Sequence, residues 1–568
     1  MRQISRTNKR TVTVTKFEGV DTRYSHRGAP QSIVNFRISA DGSLQKREGY
    51  GLICDLGESI RAVWTGKLSG NERCYVATSR GVYSVDTQNR TASFIFSLPT
   101  TDTHVDFFYY RGALYLVDGV SIYRIENDTP RVPFGYVPLI GKDWADNEVG
   151  SINEPRNILN GCGRITYRIS EAATSFLRLD APISSVEALY VNGERLAASK
   201  YSVSSSPPVV SVSGLKAYDK VELYFTYADN PYTTDALFKN THALVFGGIN
   251  NSRPFLWGGE DGAVIFSSAY VHESELQKSK LIFPESDALY FPVGYQFSVG
   301  DGRYPISAVS RHYDRLLIFT EGGAWMADSS ACGIEEFPVM NINSSVGVVA
   351  DTAATLGNQP CTVGLDSVYL WRSETDKLDE CNAYGISGAI NSLLPSEFFK
   401  SATVFADTAH GELLFTYPND KGRTWVYNAS LGAWSCFEGI GAERFFNVDG
   451  KVGFAKNGAI YAFDKSLDTD LGSTEIVASF STGLLDFDTD ADKRPSAIGI
   501  CFDGNAIDAE IALDGNSDRT LGLSLDKQAT HGYVRKRLSA RRFKAMSLTL
   551  RASGAERQTV HSFYLQAR

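Results

Sequence analysis

The stretch KVGFAKNGAIYAFD, residues 451–464, contains an apolar run, a tight turn with a glycine, and a second apolar run that carries the aromatic residue Tyr461. Alternating apolar residues on both sides of such a turn predict a β-hairpin, because successive side chains of a strand point to opposite faces. The same form occurs in six further segments: 74–86, 113–126, 255–267, 316–328, 362–371 and 412–428.

The seven segments share one anchor position in their second run. The anchor residues are Tyr83, Tyr123, Val264, Trp325, Tyr369, Trp425 and Tyr461, at spacings of 40, 141, 61, 44, 56 and 36 residues. All spacings but one are close to the length of a four-stranded blade in a β-propeller. The sequence therefore predicts an all-β chain with a propeller of about seven blades, and counts of six or eight stay open because a weak blade is easily missed or split.

The spacing of 141 residues between Tyr123 and Val264 exceeds one blade. Subtracting a blade of roughly 50 residues leaves about 90, which is the size of a small domain. The strand-like runs GRITYRI, VEALYVNGERLA and KVELYFTYA lie in this interval, and Asn192-Gly193 is a strong hairpin turn. We interpret residues 150–235 as a β-sandwich inserted into the propeller.

The pattern changes again after Asp464. Alternating runs such as AIGICFD, AEIALD, AMSLTLRA and VHSFYLQA predict a second β-sandwich at residues 469–568. The propeller then has two parts, residues 16–149 and 236–468, and residues 1–15 form a flexible basic arm. Only segments 272–281 and 388–402 have the character of short helices.

Composition agrees with a β-rich globular protein that does not bind nucleic acid strongly. The chain has 568 residues, including 28 Tyr, 32 Phe and 50 Gly. Its net charge of −9 argues against a general nucleic-acid binder that neutralises phosphates. An acidic surface is compatible with DNA passing without adhering, and equally with ordinary solubility.

Cysteine usage and the N-terminus indicate a protein folded in a reducing compartment. None of the eight Cys falls in a C-x-x-C pair, so we expect reduced and mostly buried thiols. The basic N-terminal stretch has no apolar segment, so it is not a signal peptide, and no apolar run approaches the length of a membrane span.

One turn resembles a motif of glycan-cleaving enzymes. Residues 420–425, DKGRTW, resemble the Asp-box found on the propeller blades of sialidases, and residues 35–39, NFRIS, resemble the segment that supplies a sialidase arginine, here Arg37. Sialidases usually carry several Asp-boxes, whereas this chain has one, preceded by Pro418 in place of Ser. No spacing singles out three arginines, a Tyr–Glu pair and an Asp acid. We therefore interpret Trp425 as a blade-packing residue.

Other motifs of enzymes and metal sites are weak. The acidic run DFDTDAD, residues 486–492, resembles a calcium loop, but Ala491 and Ala497 stand where an EF-hand needs Gly and Glu. The eight His show no metal spacing, and the chain has no Walker-A, dinucleotide-binding or nucleophile-elbow motif. The sequence accordingly predicts no catalytic, cofactor-binding or metal-binding residue, no cofactor, and a protein that is not an enzyme.

Two basic segments stand out on the acidic chain. The N-terminal arm contains Arg2, Arg6, Lys9 and Arg10, and Lys16 follows it. The C-terminal segment contains Arg535, Lys536, Arg537, Arg541, Arg542 and Lys544. Either segment could contact an acidic neighbour or DNA phosphate. A tail that orders on assembly and a solvated strand face are the plainer interpretations.

Residues 16–51 resemble the opening of bacteriophage tail structural proteins, in which a K-F-x-G-V/L-D strand precedes A-P, N and D-G-x-L-x-K-R-x-G-Y. The residues that carry the resemblance are Lys16, Phe17, Gly19, Asp21, Ala29, Pro30, Asn35, Asp41, Gly42, Leu44, Arg47, Gly49 and Tyr50. Segments 266–325, 426–437 and 481–494 are also similar to this family.

This resemblance implies a propeller protein similar to the tail-nozzle and packaged-DNA stabilisation proteins of short-tailed phages. Such a protein is made in the host cytoplasm and located in the virion tail. It forms a ring with itself, commonly a hexamer, below the portal and adaptor, retains or gates the packaged DNA in its lumen without reading sequence, and docks tail fibres. Two alternatives stay open: a phage glycan depolymerase or sialidase-like enzyme, and a glycan-binding adhesin that uses the inserted sandwich.

Overall fold

The computed structural model describes residues 9–144, 151–171, 175–229, 235–247, 251–328, 339–349, 351–372, 382–418, 422–526 and 533–568. Over these residues the chain is all-β, as predicted. Its helices are short: α1 (Asp235–Phe238), α2 (Glu273–Ile282), α3 (Phe398–Ser401), and the 3₁₀ segments Thr22–Arg27, Ala198–Lys200, Ser387–Ala389 and Asn391–Leu393. The helix predicted at 272–281 is α2, and segment 388–402 forms two 3₁₀ turns and α3.

The described chain begins with strands β1 (Arg10–Val14), β2 (Pro30–Val34), β3 (Phe36–Ile38), β4 (Leu44–Lys46) and β5 (Gly49–Asp55). Two antiparallel four-stranded sheets follow. The first sheet contains β6 (Ile60–Leu68), β7 (Asn71–Thr78), β8 (Gly81–Asp86) and β9 (Thr91–Ser97). The second sheet contains β10 (Asp106–Tyr110), β11 (Ala113–Val117), β12 (Ile122–Glu126) and β13 (Thr129–Arg131).

An inserted unit comes next. It contains β14 (Leu139–Lys142), β15 (Ser151–Ile152), β16 (Cys162–Arg168), β17 (Phe176–Arg178), β18 (Ile183–Val191), β19 (Glu194–Arg195), β20 (Tyr201–Ser205), β21 (Pro208–Val212) and β22 (Lys220–Tyr227). Strands β17, β21 and β20 form one sheet, the other six form a second, and both sheets contribute to one hydrophobic core. The unit starts before the predicted residue 150, because β14 pairs with β16.

Five further sets of four neighbouring strands follow, numbered here as the third to seventh sheets, and the sixth is part of a larger sheet. The third has β23 (His242–Phe246), β24 (Arg253–Trp257), β25 (Val264–Ser267) and β26 (Gln296–Ser298), and the fourth has β27 (Ile306–His312), β28 (Arg315–Thr320), β29 (Gly323–Asp328) and β30 (Val339–Asn343). The fifth has β31 (Ala354–Leu356), β32 (Gln359–Val363), β33 (Val368–Trp371) and β34 (Ala383–Gly385). The sixth has β35 (Thr403–Asp407), β36 (Glu412–Thr416), β37 (Thr424–Asn428) and β38 (Ala433–Phe437), and the seventh has β39 (Arg444–Val448), β40 (Lys451–Lys456), β41 (Ala459–Asp464) and β5.

Every repeated segment of the sequence is a hairpin formed by the second and third strands of one of these sheets. The anchor positions fall on the third strand in every case, so the hairpin prediction is confirmed at all seven segments. The anchors differ in burial: Trp425 is 3% exposed, whereas the other six are half-buried.

Each sheet packs on the next through a hydrophobic cluster, and the seventh packs on the first. Strands β6, β10 and β23 are neighbours, as are β27, β31, β35 and β39, and β39 returns to β6. Arg311 of β27 donates a hydrogen bond to the carbonyl of Val245 in β23. The first strands of the sheets therefore surround a common axis, which is a propeller-like arrangement.

The seventh sheet takes its outer strand from the beginning of the chain. Strand β5 pairs antiparallel with β41, from Gly49 opposite Asp464 to Asp55 opposite Ala459. This pairing joins residues near both ends of the propeller-like part, and it holds the ring of sheets closed.

The terminal unit contains β1 to β4 together with β42 (Ala478–Thr482), β43 (Pro495–Asp503), β44 (Ala506–Leu513), β45 (Asn516–Asp526), β46 (Tyr533–Arg537), β47 (Met546–Ala552) and β48 (Thr559–Ala567). Its two sheets share one hydrophobic core. Strand β2 pairs antiparallel with β42 and parallel with β38 at Val34 and Cys436. One nine-stranded sheet consequently runs from the sixth sheet into the terminal unit.

The structure distributes the N-terminal residues differently from the predicted domains. Arg10–Val14 of the predicted arm form β1, which pairs over its whole length with β48, and residues 1–8 lie outside the described residues. Residues 16–48, predicted as propeller, supply strands of the terminal unit, because their partners are β42 and β48.

Candidate functional site

Residues 16–51 lie at the seam between the sixth sheet, the seventh sheet and the terminal unit. Phe17 is 1% exposed and contacts Phe480 edge-to-face, with ring centroids 4.9 Å apart. Gly19 passes so close to β38 that a Cβ atom there would lie 2.6 Å from the backbone nitrogen of Trp434. Tyr50 packs on Phe454 of the seventh sheet at a centroid distance of 5.0 Å.

Arg47 and Asn35 form the buried hydrogen bonds across this seam. Arg47 donates two hydrogen bonds to Asp470, of 2.8 and 2.7 Å, and its side chain is 1% exposed. Asn35 accepts a hydrogen bond from Arg47 Nε at 3.0 Å and another from the Glu438 N–H at 3.0 Å, and it donates to the Val477 carbonyl at 2.9 Å. A single amide thus connects the sixth sheet to the terminal unit.

Arg37 lies beneath the same seam with its guanidinium enclosed by carboxylates. It donates to both oxygens of Glu48 at 3.0 and 2.9 Å and contacts Glu412, while Asp407 lies 3.8 Å away. His410 Nδ1 lies 2.7 Å from Asp407. The Arg37 side chain is 6% exposed. Its segment resembles the one that supplies a sialidase arginine, but its guanidinium pairs with carboxylates of its own chain.

The carboxylates around Arg37 are not equivalent. Burial by itself raises the pKa of Glu48, but the Arg37 guanidinium outweighs burial and holds that pKa at about 2. Burial keeps the pKa of Glu412 above its ordinary value in spite of Arg37. Glu412 is the more deeply buried of the two, so the same guanidinium leaves the two carboxylates with pKa values shifted in opposite directions.

A second cluster lies near the axis, where the first strands of several sheets begin. His104 and Asp106 stand at the start of β10, His242 is the first residue of β23, and Asp351 precedes β31. Asp351 has a positive φ of 57° and donates its N–H to the Ser307 carbonyl at 2.9 Å. The cluster therefore draws on the second, third and fifth sheets, with a contact to the fourth.

Asp351 bridges the two histidines. Its carboxylate oxygens lie 2.7 Å from His242 Nε2 and 3.5 Å from His104 Nδ1. The two imidazoles are stacked, with centroids 3.9 Å apart, and His242 also stacks on Trp257. The ligand atoms of His104, His242 and Asp351 all lie within 4.8 Å of one another, as do those of Asp407, His410 and Glu412 beside Arg37.

The charges of the axial cluster stabilise one another. Burial lowers the pKa of His104, but Asp106 and Asp351 outweigh burial and raise that pKa to about 9. Burial raises the pKa of Asp351, but hydrogen bonds from both histidines hold it well below its ordinary value. The cluster opens on a cavity of about 260 Å³, lined also by Ala308, Thr403, Phe405 and Arg444.

The sequence did not predict the axial cluster, because its members come from separate sheets and no short motif contains them.

The Asp-box residues Asp420 and Lys421 lie outside the described residues, whereas Trp425 is buried in β37. In the DFDTDAD segment, Arg10 donates to the carbonyls of Phe487 and Asp488, and Lys493 donates to those of Thr489 and Ala491. The backbone carbonyl groups of that turn therefore accept hydrogen bonds from cationic side chains of the protein itself.

The predicted basic segment at the C-terminus lies along an outer strand and its connection. Arg535 and Arg537 are exposed on β46, and Arg541, Arg542 and Lys544 are exposed after it.

Of the six cysteines in the described ranges, five are buried and Cys501 is half-buried. Burial raises the pKa of Cys74 and of Cys436 to about 12. No helix in the described part is long and apolar enough to cross a membrane.

Comparisons with known proteins find matches among solved structures only, at low identity. No family model matches the chain, and no curated protein matches it. Among solved structures, the AfRom2 CNH domain has 7% identity and a TM-score of 0.37, covering 73% of this chain and 99% of that domain. The Pan2 WD40 domain of Neurospora crassa has 7% identity and a TM-score of 0.34, covering 74% and 97%. The extracellular domain of a one component system of B. thetaiotaomicron has 11% identity and a TM-score of 0.26, covering 74% and 52%.

Proposed function

We propose that the chain is a non-enzymatic structural protein of a short-tailed phage virion, a ring-forming component of the tail nozzle or hub. In this proposal the seven four-stranded sheets are the blades of a seven-bladed β-propeller. The inserted and terminal units are β-sandwiches attached to it. The ring extends the tail tube below the portal and adaptor, retains or gates packaged DNA, and docks other tail parts such as fibres.

The observation that carries the proposal is the seam formed by residues 16–51. The residues that resemble the opening of phage tail proteins are used here for architecture: Phe17 fills a core, Gly19 permits a close approach, Arg47 binds Asp470 and Tyr50 packs on the seventh sheet. A buried ion pair that fixes the relation of two units suits a protein whose geometry must persist in an assembly.

Rigid attachment of the inserted unit is a further supporting feature. Arg164 of β16 forms an ion pair with Glu275 of α2, and the Val137 N–H donates to Ser279 Oγ at 3.2 Å. Phe134 stacks on Phe283 at a centroid distance of 5.7 Å. The inserted unit can therefore present its surface at a fixed angle to neighbouring subunits or fibres.

A direct test is co-assembly with the portal and adaptor proteins of a short-tailed phage that encodes this chain. We expect mass photometry and electron microscopy to show a ring of about six copies docked on the portal–adaptor complex. The purified chain alone is an uninformative sample, because nozzle proteins can stay monomeric until they dock. A chain that stays monomeric with these partners and releases sugar from host polysaccharide would overturn the proposal in favour of a glycan depolymerase.

Glycan binding by the inserted unit is a second candidate, favoured by a groove on its three-stranded sheet. The groove has a volume of about 370 Å³ and is lined by Phe176, Lys200, Tyr201 and the serines Ser175, Ser199, Ser202, Ser211 and Ser213. Hydroxyl groups beside an aromatic ring offer both hydrogen bonds and an apolar face to a sugar. A glycan array probed with the full chain and with Phe176→Ala tests this role; equal signals from both would argue against it.

A further inference from the structure

The axial cluster has a feature that ordinary ion pairs lack: each histidine uses one ring nitrogen on a supporting group and directs the other at Asp351. His104 Nε2 lies 3.1 Å from Asp106, and Asp106 is itself held by the Ala243 N–H at 3.1 Å. Metal-ligating histidines almost always show this arrangement, in which a supporting carboxylate, carbonyl or hydroxyl fixes the tautomer.

His242 shows the same arrangement with a hydroxyl group as the support. Its Nδ1 lies 2.8 Å from Thr241 Oγ1, and that hydroxyl donates its own hydrogen to the Gly258 carbonyl at 3.3 Å. His242 Nε2 lies 2.7 Å from Asp351, so a proton joins the two in the ion-free chain. An ion that replaced this proton would take the Nε2 lone pair, with Nδ1–H donating to Thr241 Oγ1. Each histidine thus has one ring nitrogen on a supporting group and the other beside Asp351, where a metal ion would take the place of a proton.

We propose that His104, His242 and Asp351 form a binding site for one divalent transition-metal ion of the zinc class. The ligand atoms would be His104 Nδ1, His242 Nε2 and a carboxylate oxygen of Asp351. Because the two rings are stacked, each must turn about its Cβ–Cγ bond for the lone pairs to converge. The adjoining cavity of about 260 Å³ has room for the water that completes the coordination.

The donor set selects the class of ion. Two imidazoles and one carboxylate suit zinc, cobalt, nickel or iron, whereas magnesium and calcium prefer oxygen ligands throughout. The ligands come from three different sheets, so a bound ion connects the second, third and fifth sheets across the axis. We assign the site a structural role, as a clamp at one end of the ring of sheets, which goes beyond the proposed function.

The test uses the full chain, purified with a chelator and then dialysed free of it. We expect isothermal titration with ZnCl₂ to give one ion per chain, and CoCl₂ to give the visible absorption bands of an ion with fewer than six ligands. Zinc should raise the thermal midpoint, because it binds the folded chain. Millimolar MgCl₂ should not displace it.

Two variants and a control identify the ligands. Asp351→Asn keeps the backbone conformation, because Asn tolerates the left-handed region at φ 57°, and His242→Gln keeps a polar side chain of similar reach. Each should weaken zinc binding at least about tenfold. His561→Ala removes the exposed pair of His561 and Asp503, 2.8 Å apart, and should leave the affinity unchanged.

A direct readout covers the case in which the variants fail to fold. X-ray absorption spectroscopy of the zinc complex of the parent chain should show scattering from two imidazoles. A shell of oxygen ligands alone, the absence of saturable binding, or full affinity in folded Asp351→Asn and His242→Gln would each overturn the proposal.

Discussion

Arg47 and Asp470 form a bidentate ion pair across 423 positions of sequence, with both side chains almost completely removed from solvent. The pair joins the connection between β4 and β5 to the connection that leads into the terminal unit. Replacing Arg47 therefore tests whether the seam holds the two parts together.

Arg47→Met should cost about 3–5 kcal/mol, because it leaves the Asp470 carboxylate buried without its partner. Thermal unfolding followed by tryptophan fluorescence measures the loss. Arg551→Met is the matched control: its pair with Glu510 spans 3.8 Å at an exposed site, and an exposed pair contributes less than about 1 kcal/mol. Equal midpoints for the two variants would refute a special role for the seam.

The acid stability of the chain should depend on Glu48. Its folded-state pKa of about 2 lies below its ordinary value of 4.5, so ionised Glu48 stabilises the folded chain above pH 4.5, and this contribution is lost as the pH falls towards 2. Glu48→Gln should be less stable than the parent at neutral pH, and the gap should narrow in acid. Urea unfolding at several pH values measures the gap, and Glu510→Gln, at an exposed pair with Arg551, is the control variant.

Gly49→Ala should weaken the closure of the seventh sheet. An added Cβ would lie 2.0 Å from the Thr469 carbonyl oxygen, so the backbone must shift, at a cost of about 1–3 kcal/mol or more. Hydrogen exchange of β5 and β41 should accelerate. Gly522→Ala adds the same methyl group in β45 where no atom lies within 4 Å, and unchanged exchange is expected there. Slow exchange in both variants would count against the clash.

Two truncations separate the assembly role of the N-terminal arm from its structural role. We hypothesise that the arm orders on a neighbouring subunit, so deleting residues 1–9 should impair ring assembly and leave the thermal midpoint unchanged. Deleting residues 1–15 also removes β1, which pairs from Arg10 with Ala567 to Val14 with Phe563, and should lower the midpoint as well. Normal assembly of both truncated chains would refute the hypothesis.

The repeated hairpins could be predicted from sequence because each is a local structure with its own pattern of apolar residues and its own turn. Tyr83, Trp325 and Tyr461 stand at equivalent strand positions for that reason. The inserted unit could be located because it interrupts the spacing. Local pattern contains no information about pairing between distant strands, so the closure of the seventh sheet by β5 and the placement of β2 were not predictable.

The axial cluster escaped prediction for a related reason. His242 and Asp351 are 109 positions apart, and only the ring of sheets brings them within 2.7 Å. Arg37 shows the reverse situation. Its local motif resembled a sialidase arginine, but the motif does not specify that Glu48 and Glu412 surround the side chain.

The pairing of the first five strands has a consequence for biosynthesis. Apart from the short β3–β4 hairpin, the partners of these strands are β38, β41, β42 and β48, all in the last quarter of the chain. A ribosome adding about 5–20 residues per second delivers β48 roughly half a minute to two minutes after β5. Strand β5 therefore lacks its partner while the strands of the first six sheets are made, and β1 and β4 lack theirs until β48 follows.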